Sequence, residues 1–347
     1  MEKEHTVCAF NFKRQYPGFL FPGKTQYVTE NDNIQPVESV ACLDTINPIS
    51  WEKTATAIRE WAPELLIMRY WNPWFALPLG FVARRMPPQC KVVAILDNVI
   101  PHEKHFFDRL LTKFFLGSAD GFITLCREVA SDLTALKKNA RYSICHHPVY
   151  NNFGTAIPKE EAEEILGIKH GRKNLLFFGL IRDYKGLDIL IEAFDRLGPN
   201  FELIIAGEPY GSFEKYQRQM DASPGRKRMH VFPRFIKDSE VKNFFSAADV
   251  CVLPYKSATQ SGISAISYQF DVPLIVTDVG GLKETVGESG TGLVSPSATP
   301  AFIAQKINEF FENPSIHKNC VESIRREKES LTWQNFSANL IKFAQNL

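Results

Sequence analysis

The sequence has no dominant charge: 40 Lys and Arg oppose 39 Asp and Glu, a net +1 over 347 residues. A chain dedicated to nucleic acid carries a basic excess, so that class is set aside and no nucleic-acid partner is expected. Long apolar runs are also missing. None reaches the roughly 18 residues that span a bilayer, and the Trp71 to Ala83 stretch is both short and broken by two prolines. Met1-Glu2-Lys3-Glu4-His5 is followed by no apolar leader segment. A cytoplasmic location is expected, with which peripheral association at the inner membrane face is compatible. Paired cysteines are absent too. Cys8, Cys42, Cys90, Cys126, Cys145, Cys251 and Cys320 are odd in number and scattered, several of them in apolar runs such as Val250–Leu253. Buried free thiols in a reducing compartment fit this pattern better than a disulfide framework. Metal-ligand spacing is lacking as well. His102-Glu103-Lys104-His105 puts its second histidine one position too early for a zinc helix, where Phe106 stands, and Cys145-His146-His147 has no second cluster. No metal is expected.

What is present is alternation. Hydrophobic residues make up 44% and charged residues 23% of the chain, a globular balance, and the length suits two domains. Short apolar runs at Val7–Phe10, Val40–Leu43, Leu65–Tyr70, Val92–Asp97, Phe122–Cys126 and Tyr142–Cys145 alternate with helix-length amphipathic stretches. The second half repeats the pattern at Leu175–Gly179, Leu203–Gly207, His230–Pro233, Val250–Pro254, Leu274–Asp278 and Gly292–Val294. Leu187, Leu190, Ile191, Phe194 and Leu197 fall on one helical stripe. Strands of four to six apolar residues between helices mean parallel sheets covered on both faces. The fold class is α/β, with two doubly wound, Rossmann-like domains facing across a cleft. The expected division is a first domain over 1–155, a polar linker over 156–172, a second domain over 173–330, and a terminal segment 331–347.

In doubly wound sheets ligands bind beyond the carboxyl ends of the strands, so the loops there carry the chemistry. Gly18-Phe-Leu-Phe-Pro-Gly23-Lys24-Thr25 fits the spacing of a phosphate loop. Its context does not fit: the apolar run ends near Phe10, and Gln26 to Asn33 followed by Pro36 is poor helix material. A Gly/Pro-shaped loop at the mouth of the first strand is the better reading. Asn98, His102 and Glu103 follow the strand at 92–97; they suit acceptor binding or proton handling, and equally a helix cap. Tyr70, Trp71 and Trp74 suit sugar stacking, but more readily core packing.

The second half is richer. Between Gly179 and Gly186, Arg182 and Lys185 lie in one turn where a diphosphate would collect both. Gly207-Glu208-Pro209-Tyr210, Thr259-Gln260-Ser261-Gly262 and Gly280-Gly281 end successive strands with small or polar residues, as a close backbone approach to a ligand requires. Four such loops in one domain form a coherent nucleotide-diphosphate pocket.

These motifs, in this order and spacing, resemble the retaining glycosyltransferases of the GT-B fold, and more narrowly the family 4, or glycosyl transferases group 1, type. The resemblance covers about 170–330 strongly and the first half loosely, through Pro22-Gly23-Lys24-Thr25-Gln26 and the Asn98 to Glu103 segment. It implies a hexosyltransferase whose second domain binds a UDP- or GDP-linked sugar and whose first binds a saccharide or lipid-linked saccharide. No cofactor is obligatory, and a final helix at about Trp333–Gln345 packs back on the first domain. By this resemblance Arg182, Lys185 and His102 are catalytic. Gly179, Glu208, Tyr210, Thr259, Gln260, Ser261, Gly262, Gly280 and Gly281 bind the donor, and Gly23, Lys24, Thr25, Asn98 and Glu103 line the acceptor side. Lys185 falls on the family's pyrophosphate lysine. The partner arginine directly follows the first glycine in the family; Leu180 stands there, and Arg182 is the substitute. The family's two glutamates, seven residues apart, are replaced by Ala258 and Ile266. That departure opens an alternative, a catalytically silent sugar-nucleotide-binding module. A nucleotide hydrolase working through Gly18–Thr25 is the third reading.

Overall fold

The computed structural model describes residues 5–17, 39–100 and 107–347, which divide into two compact units. The first holds the described residues up to His147 together with Trp333–Leu347; the second holds Pro148–Thr332.

In the first unit, β1 (Ala9–Arg14) pairs in parallel with β2 (Ser39–Asp44). Helix α1 (Pro48–Trp61) starts where Asn47 accepts a hydrogen bond from Ile49 N at 3.1 Å, and Pro48 presets the first helical turn. Then follow β3 (Leu65–Tyr70), α2 (Ala76–Arg84), β4 (Lys91–Leu96), α3 (Asp108–Leu116), β5 (Gly121–Thr124), α4 (Arg127–Leu136) and β6 (Tyr142–Ile144). Strands β3-β4-β5-β6 form a parallel sheet in that order. Phe75, Phe115 and Phe122 are fully buried with Val92, Ala94 and Leu96 on one side of it.

In the second unit, α5 (Lys159–Leu166) precedes β7 (Lys173–Phe178), α6 (Leu187–Phe194), β8 (Phe201–Ala206), α7 (Glu214–Asp221), β9 (Met229–Phe232), α8 (Asp238–Ala247) and β10 (Val250–Leu253). Helix α9 (Gly262–Gln269), β11 (Leu274–Thr277), a π-helical turn at Lys283–Glu288, β12 (Gly292–Ser295), α10 (Pro300–Glu312) and α11 (Pro314–Ser330) complete it. All six strands are parallel, in the order β12-β11-β10-β7-β8-β9. Both faces are covered: Leu176, Ile204 and Leu253 face one apolar core, and Leu175, Leu203 and Val252 face the other. That two-sided burial is why these strands read as continuous apolar runs rather than as alternation. The stripe Leu187, Leu190, Ile191 and Phe194 is buried on α6, and each such side chain adds about 1.5–3 kcal/mol.

The stretch 156–172, polar in sequence, contains α5. It is stitched to the second unit, with Ala162 buried and Glu163 accepting hydrogen bonds from Asn174 Nδ2 and from the His170 ring, each at 2.8 Å. Helix α12 (Trp333–Gln345) closes the chain and packs on the first unit. Phe336 and Leu340 cover Val93 and Ile123. Gly121 has no room for a side chain: a Cβ would lie 2.7 Å from Phe343 and Leu347.

Candidate functional site

From β7 the second sheet grows one way through β8 and β9 and the other way through β10, β11 and β12. The loops after β7 and β10 therefore diverge at a topological switch point, where a crevice forms outside the carboxyl ends of the strands. Here the two loops are joined. Lys256 N donates to Tyr184 O at 2.7 Å, and Gly186, at φ +69°, passes so close that a Cβ would sit 2.1 Å from Pro254 O. Only glycine meets both conditions.

The turn after β7 carries the charge. Lys185 is 8% exposed and has no ion-pair partner among the described residues, and the same holds for Arg182. The carboxylates nearest in sequence are engaged elsewhere. Asp183 accepts from Tyr216 OH at 3.0 Å and pairs with Lys215, while Asp188 pairs with Lys256 at 2.7 Å. Burial first, and the neighbouring Arg182 charge second, bring the Lys185 ammonium down to about 8. Arg182 lies over the Tyr210 ring, 3.9 Å from its centre, and its Nε is closed off from solvent with no acceptor. A buried donor left unsatisfied costs about 1–3 kcal/mol. Two cations without an ion-pair partner among the described residues, one of them buried, make a site for an anion.

The surrounding loops converge on the same place. Gly179 has φ +97°, and a Cβ there would lie 2.9 Å from Ile263 Cδ1 and 3.4 Å from Lys185 Nζ. That puts the first turn of α9 beside the lysine. Ser261 caps this helix, its Oγ accepting from Ile263 N at 3.3 Å and lying 3.2 Å from the buried Tyr255 hydroxyl. Gly262 opens the helix, and a Cβ there would lie 3.5 Å from the Tyr150 hydroxyl. Thr259 is buried and Gln260 partly so; Thr259 O accepts from Gly281 N at 2.8 Å, and Gly280 at φ +54° leaves no space for a Cβ against Ala258 O. The Glu208 carbonyl accepts from Ile181 N at 2.9 Å. Ala258 and Ile266 are each 8% exposed and apolar. Ten of the residues singled out from sequence on the second unit thus lie on loops at the carboxyl ends of β7, β8, β10 and β11, and Gly262 begins the helix beyond.

Sequence reasoning passed over Tyr255, Lys215 and Tyr216. Tyr255 directly follows Pro254 at a strand end, a usable signal. Lys215 and Tyr216 act on Asp183 from more than 30 positions away, and nothing local marks them.

In the first unit, Gly23, Lys24, Thr25, His102 and Glu103 lie outside the described residues, as does the phosphate-loop pattern. Asn98 is partly buried beyond β4, next to Asp97, which Arg69 grips through both carboxylate oxygens at 2.7 and 3.1 Å. The aromatics pack inward. Tyr70 is buried and stacked on Phe115, Trp71 lies against Phe75 and bonds Tyr16 OH, and Trp74 bonds Thr45. A cavity of about 1050 Å³ between β1 and β3, lined by Phe10, Phe12, Ile58, Leu66 and Met68, is apolar in character and gathers no group of charges comparable to Arg182 and Lys185. Among the described residues no three His, Cys, Asp or Glu side chains gather as metal ligands, and no helix is long and apolar enough to cross a membrane.

Comparison with known proteins agrees with this geometry. Residues 158–327 match the family described as glycosyl transferases group 1. Spore coat protein SA of Bacillus subtilis is 26% identical over 208 residues, 56% of this chain and 54% of that protein. D-rhamnosyltransferase WbpZ of Pseudomonas aeruginosa is 25% identical over 283 residues, covering 81% of this chain and 72% of its own length. For the spore coat protein and several other curated relatives, the chain spans about half of the relative's length. The structure of Anabaena HepE in complex with UDP-glucose superposes with a TM-score of 0.75 at 14% identity, over 90% of this chain and 86% of that one. The architecture is therefore the GT-B fold, with two Rossmann-like units.

Proposed function

We propose that this chain, whose residues 158–327 match the glycosyl transferases group 1 family, transfers a hexose-type sugar from a nucleotide-diphosphate donor to a saccharide or glycolipid acceptor. The observation that carries the reading is the buried Lys185, set beside Arg182 with no carboxylate partner among the described residues, at the switch point of the second sheet. A diphosphate supplies the missing negative charge. UDP is the first donor base to try, because the similar HepE structure holds UDP-glucose.

Glycosyl transfer breaks the bond between the anomeric carbon and the diphosphate oxygen while positive charge grows on the sugar ring. The leaving oxygen carries the developing negative charge. Arg182, Lys185 and the N-terminal turn of α9 are the groups placed to stabilise it, and they do so most where water is excluded. Thr259, Gln260, Ser261, Gly280 and Gly281 then supply hydroxyl, amide and backbone donors around the nucleoside and sugar, and Glu208 borders the same crevice. Asn98, with Gly23, Lys24, Thr25, His102 and Glu103, belongs to the acceptor side in this reading, and His102 handles the acceptor proton. Retention of anomeric configuration follows from the family resemblance, and the anomer of the product, read by NMR, tests it. The same reading keeps 1–155 as the acceptor domain, 156–172 as its linker and 173–330 as the donor domain, and places the enzyme in the cytoplasm.

The deciding experiment is calorimetric titration of UDP into the wild-type chain and into Lys185→Ala and Arg182→Ala. Each substitution is expected to weaken binding by about 1.5–3 kcal/mol, the worth of a charged hydrogen bond. Unchanged affinity in both variants removes the assignment.

One observation favours a second reading. Ala258 and Ile266 put buried apolar side chains where the family's glutamates would stand, which suits a module that binds a sugar nucleotide without turning it over. UDP release from a panel of sugar nucleotides, with and without saccharide acceptors, separates the two. Donor binding without any release would establish the silent module.

A further inference from the structure

The run of chain beyond β7 does not leave the sheet at once. Gly179 N donates to Ala206 O at 2.9 Å, Ile181 N to Glu208 O at 2.9 Å, and Tyr210 N to Ile181 O at 2.9 Å, with a further parallel bridge between Ile181 and Pro209. The pairing of β7 with β8 is thus carried four residues into the loops. It sets Tyr210 on the run adjoining Arg182, and the guanidinium carbon lies 3.9 Å from the centre of the tyrosine ring.

Tyr210 is 44% exposed, so it is not there to fill a core. The arginine above it has no ion pair and no side-chain hydrogen bond among the described residues, and its Nε is buried without an acceptor. A side chain with this many rotatable bonds loses entropy when held in one rotamer, and the stacked ring is a contact that holds it. A guanidinium is planar, weakly hydrated and suited to stacking, and its N–H donors lie in the plane. A ring covering one face fixes the plane and leaves the donor edge available to a ligand.

We infer that Tyr210 is a positioning residue: its ring holds Arg182 in the orientation that grips the donor diphosphate, and it acts on the ligand through the arginine. This inference rests on the nucleotide-diphosphate reading of the site. It assigns the tyrosine a role that its ring performs and its hydroxyl does not.

The test is a double-mutant cycle in the full chain, with UDP as the probe and affinity read by calorimetry. Tyr210→Leu should weaken UDP binding about tenfold, the scale of a partly desolvated cation–π contact. Tyr210→Phe, which keeps the ring, should bind UDP as the wild type does. Arg182→Met should weaken binding at least as much as Tyr210→Leu, and adding Tyr210→Leu to Arg182→Met should cost nothing further. A ligand-free readout accompanies the cycle. The Arg182 Nε–Hε NMR resonance should be displaced by the ring current in wild type and Tyr210→Phe, and return to the ordinary arginine position in Tyr210→Leu. If Tyr210→Phe loses as much affinity as Tyr210→Leu, or if the two losses add in the double variant, the ring is not acting through Arg182 and the inference is overturned. Those outcomes leave the nucleotide reading standing wherever UDP binds the wild type and is lost in Lys185→Ala. Failure of UDP to bind the wild type overturns both.

Discussion

Lys185 is held with its ammonium at about 8 by burial and by the charge of Arg182, against an ordinary lysine value of 10.5. Between those two values an unfolded chain keeps a proton that the empty folded site has released, so stability rises with pH across that window. Donor binding runs the other way. A bound diphosphate favours the charged lysine, so the site takes up a proton on binding once the pH passes about 8. UDP affinity should therefore fall as pH is raised from 8 to 9.5, and calorimetry in buffers of different ionisation enthalpy should show proton uptake that disappears in Lys185→Gln. A flat profile would mean that the lysine is already fully charged in the empty site. Gly186 belongs to the same scale. Its positive φ and its approach to Pro254 O exclude any side chain, so Gly186→Ala should destabilise the second unit by about 2–3 kcal/mol, measured by urea unfolding. It should weaken UDP binding as well, because the turn it would displace carries Lys185.

Among the elements, α12 shows how a short helix serves a sheet. Leu340 is 2% exposed and, with Phe336, covers Val93 and Ile123 on the first unit's strands. Arg141 adds polar links, with Nη1 donating to Leu347 O at 2.6 Å and the other terminal nitrogen to Asn346 O. Truncating Leu340 to alanine leaves a cavity that a well-packed sheet face cannot close. A loss of about 2–4 kcal/mol in unfolding free energy is expected, and a loss below 1 kcal/mol would show that the helix contributes little. Because its contacts are to the first unit, this substitution should leave UDP affinity unchanged. Helix α9 works differently. It is short, it sets the Ile263 side chain against Gly179, and its N-terminal turn lies at the site beside Lys185.

At the scale of the whole molecule, every residue of the proposed donor site belongs to the second unit. A fragment of residues 148–332 should therefore fold cooperatively and bind UDP within about tenfold of the full chain, the tolerance of a 1.4 kcal/mol change. Circular dichroism and calorimetry would check both parts. A fragment that folds but does not bind would show that the first unit contributes to donor affinity.

The sequence by itself determined the strands and the chemistry of their loops. Runs such as Leu203–Ala206 are apolar on both sides because both faces of a parallel sheet are buried, and that requirement is visible residue by residue. Gly179, Gly186, Gly207 and Gly280 were likewise legible, because close backbone approach and positive φ leave few residue choices. The tertiary structure alone decided the rest. It set the strand order that makes the end of β7 a switch point, the engagement of Asp183 by Lys215 and Tyr216, and the stacking of Arg182 on Tyr210. The inward packing of Tyr70, Trp71 and Trp74 agrees with the core reading that the sequence favoured over sugar stacking. The physical reason is one of range. Burial and backbone conformation are imposed on each residue locally, whereas the partner of a charge depends on which distant segment the fold brings beside it.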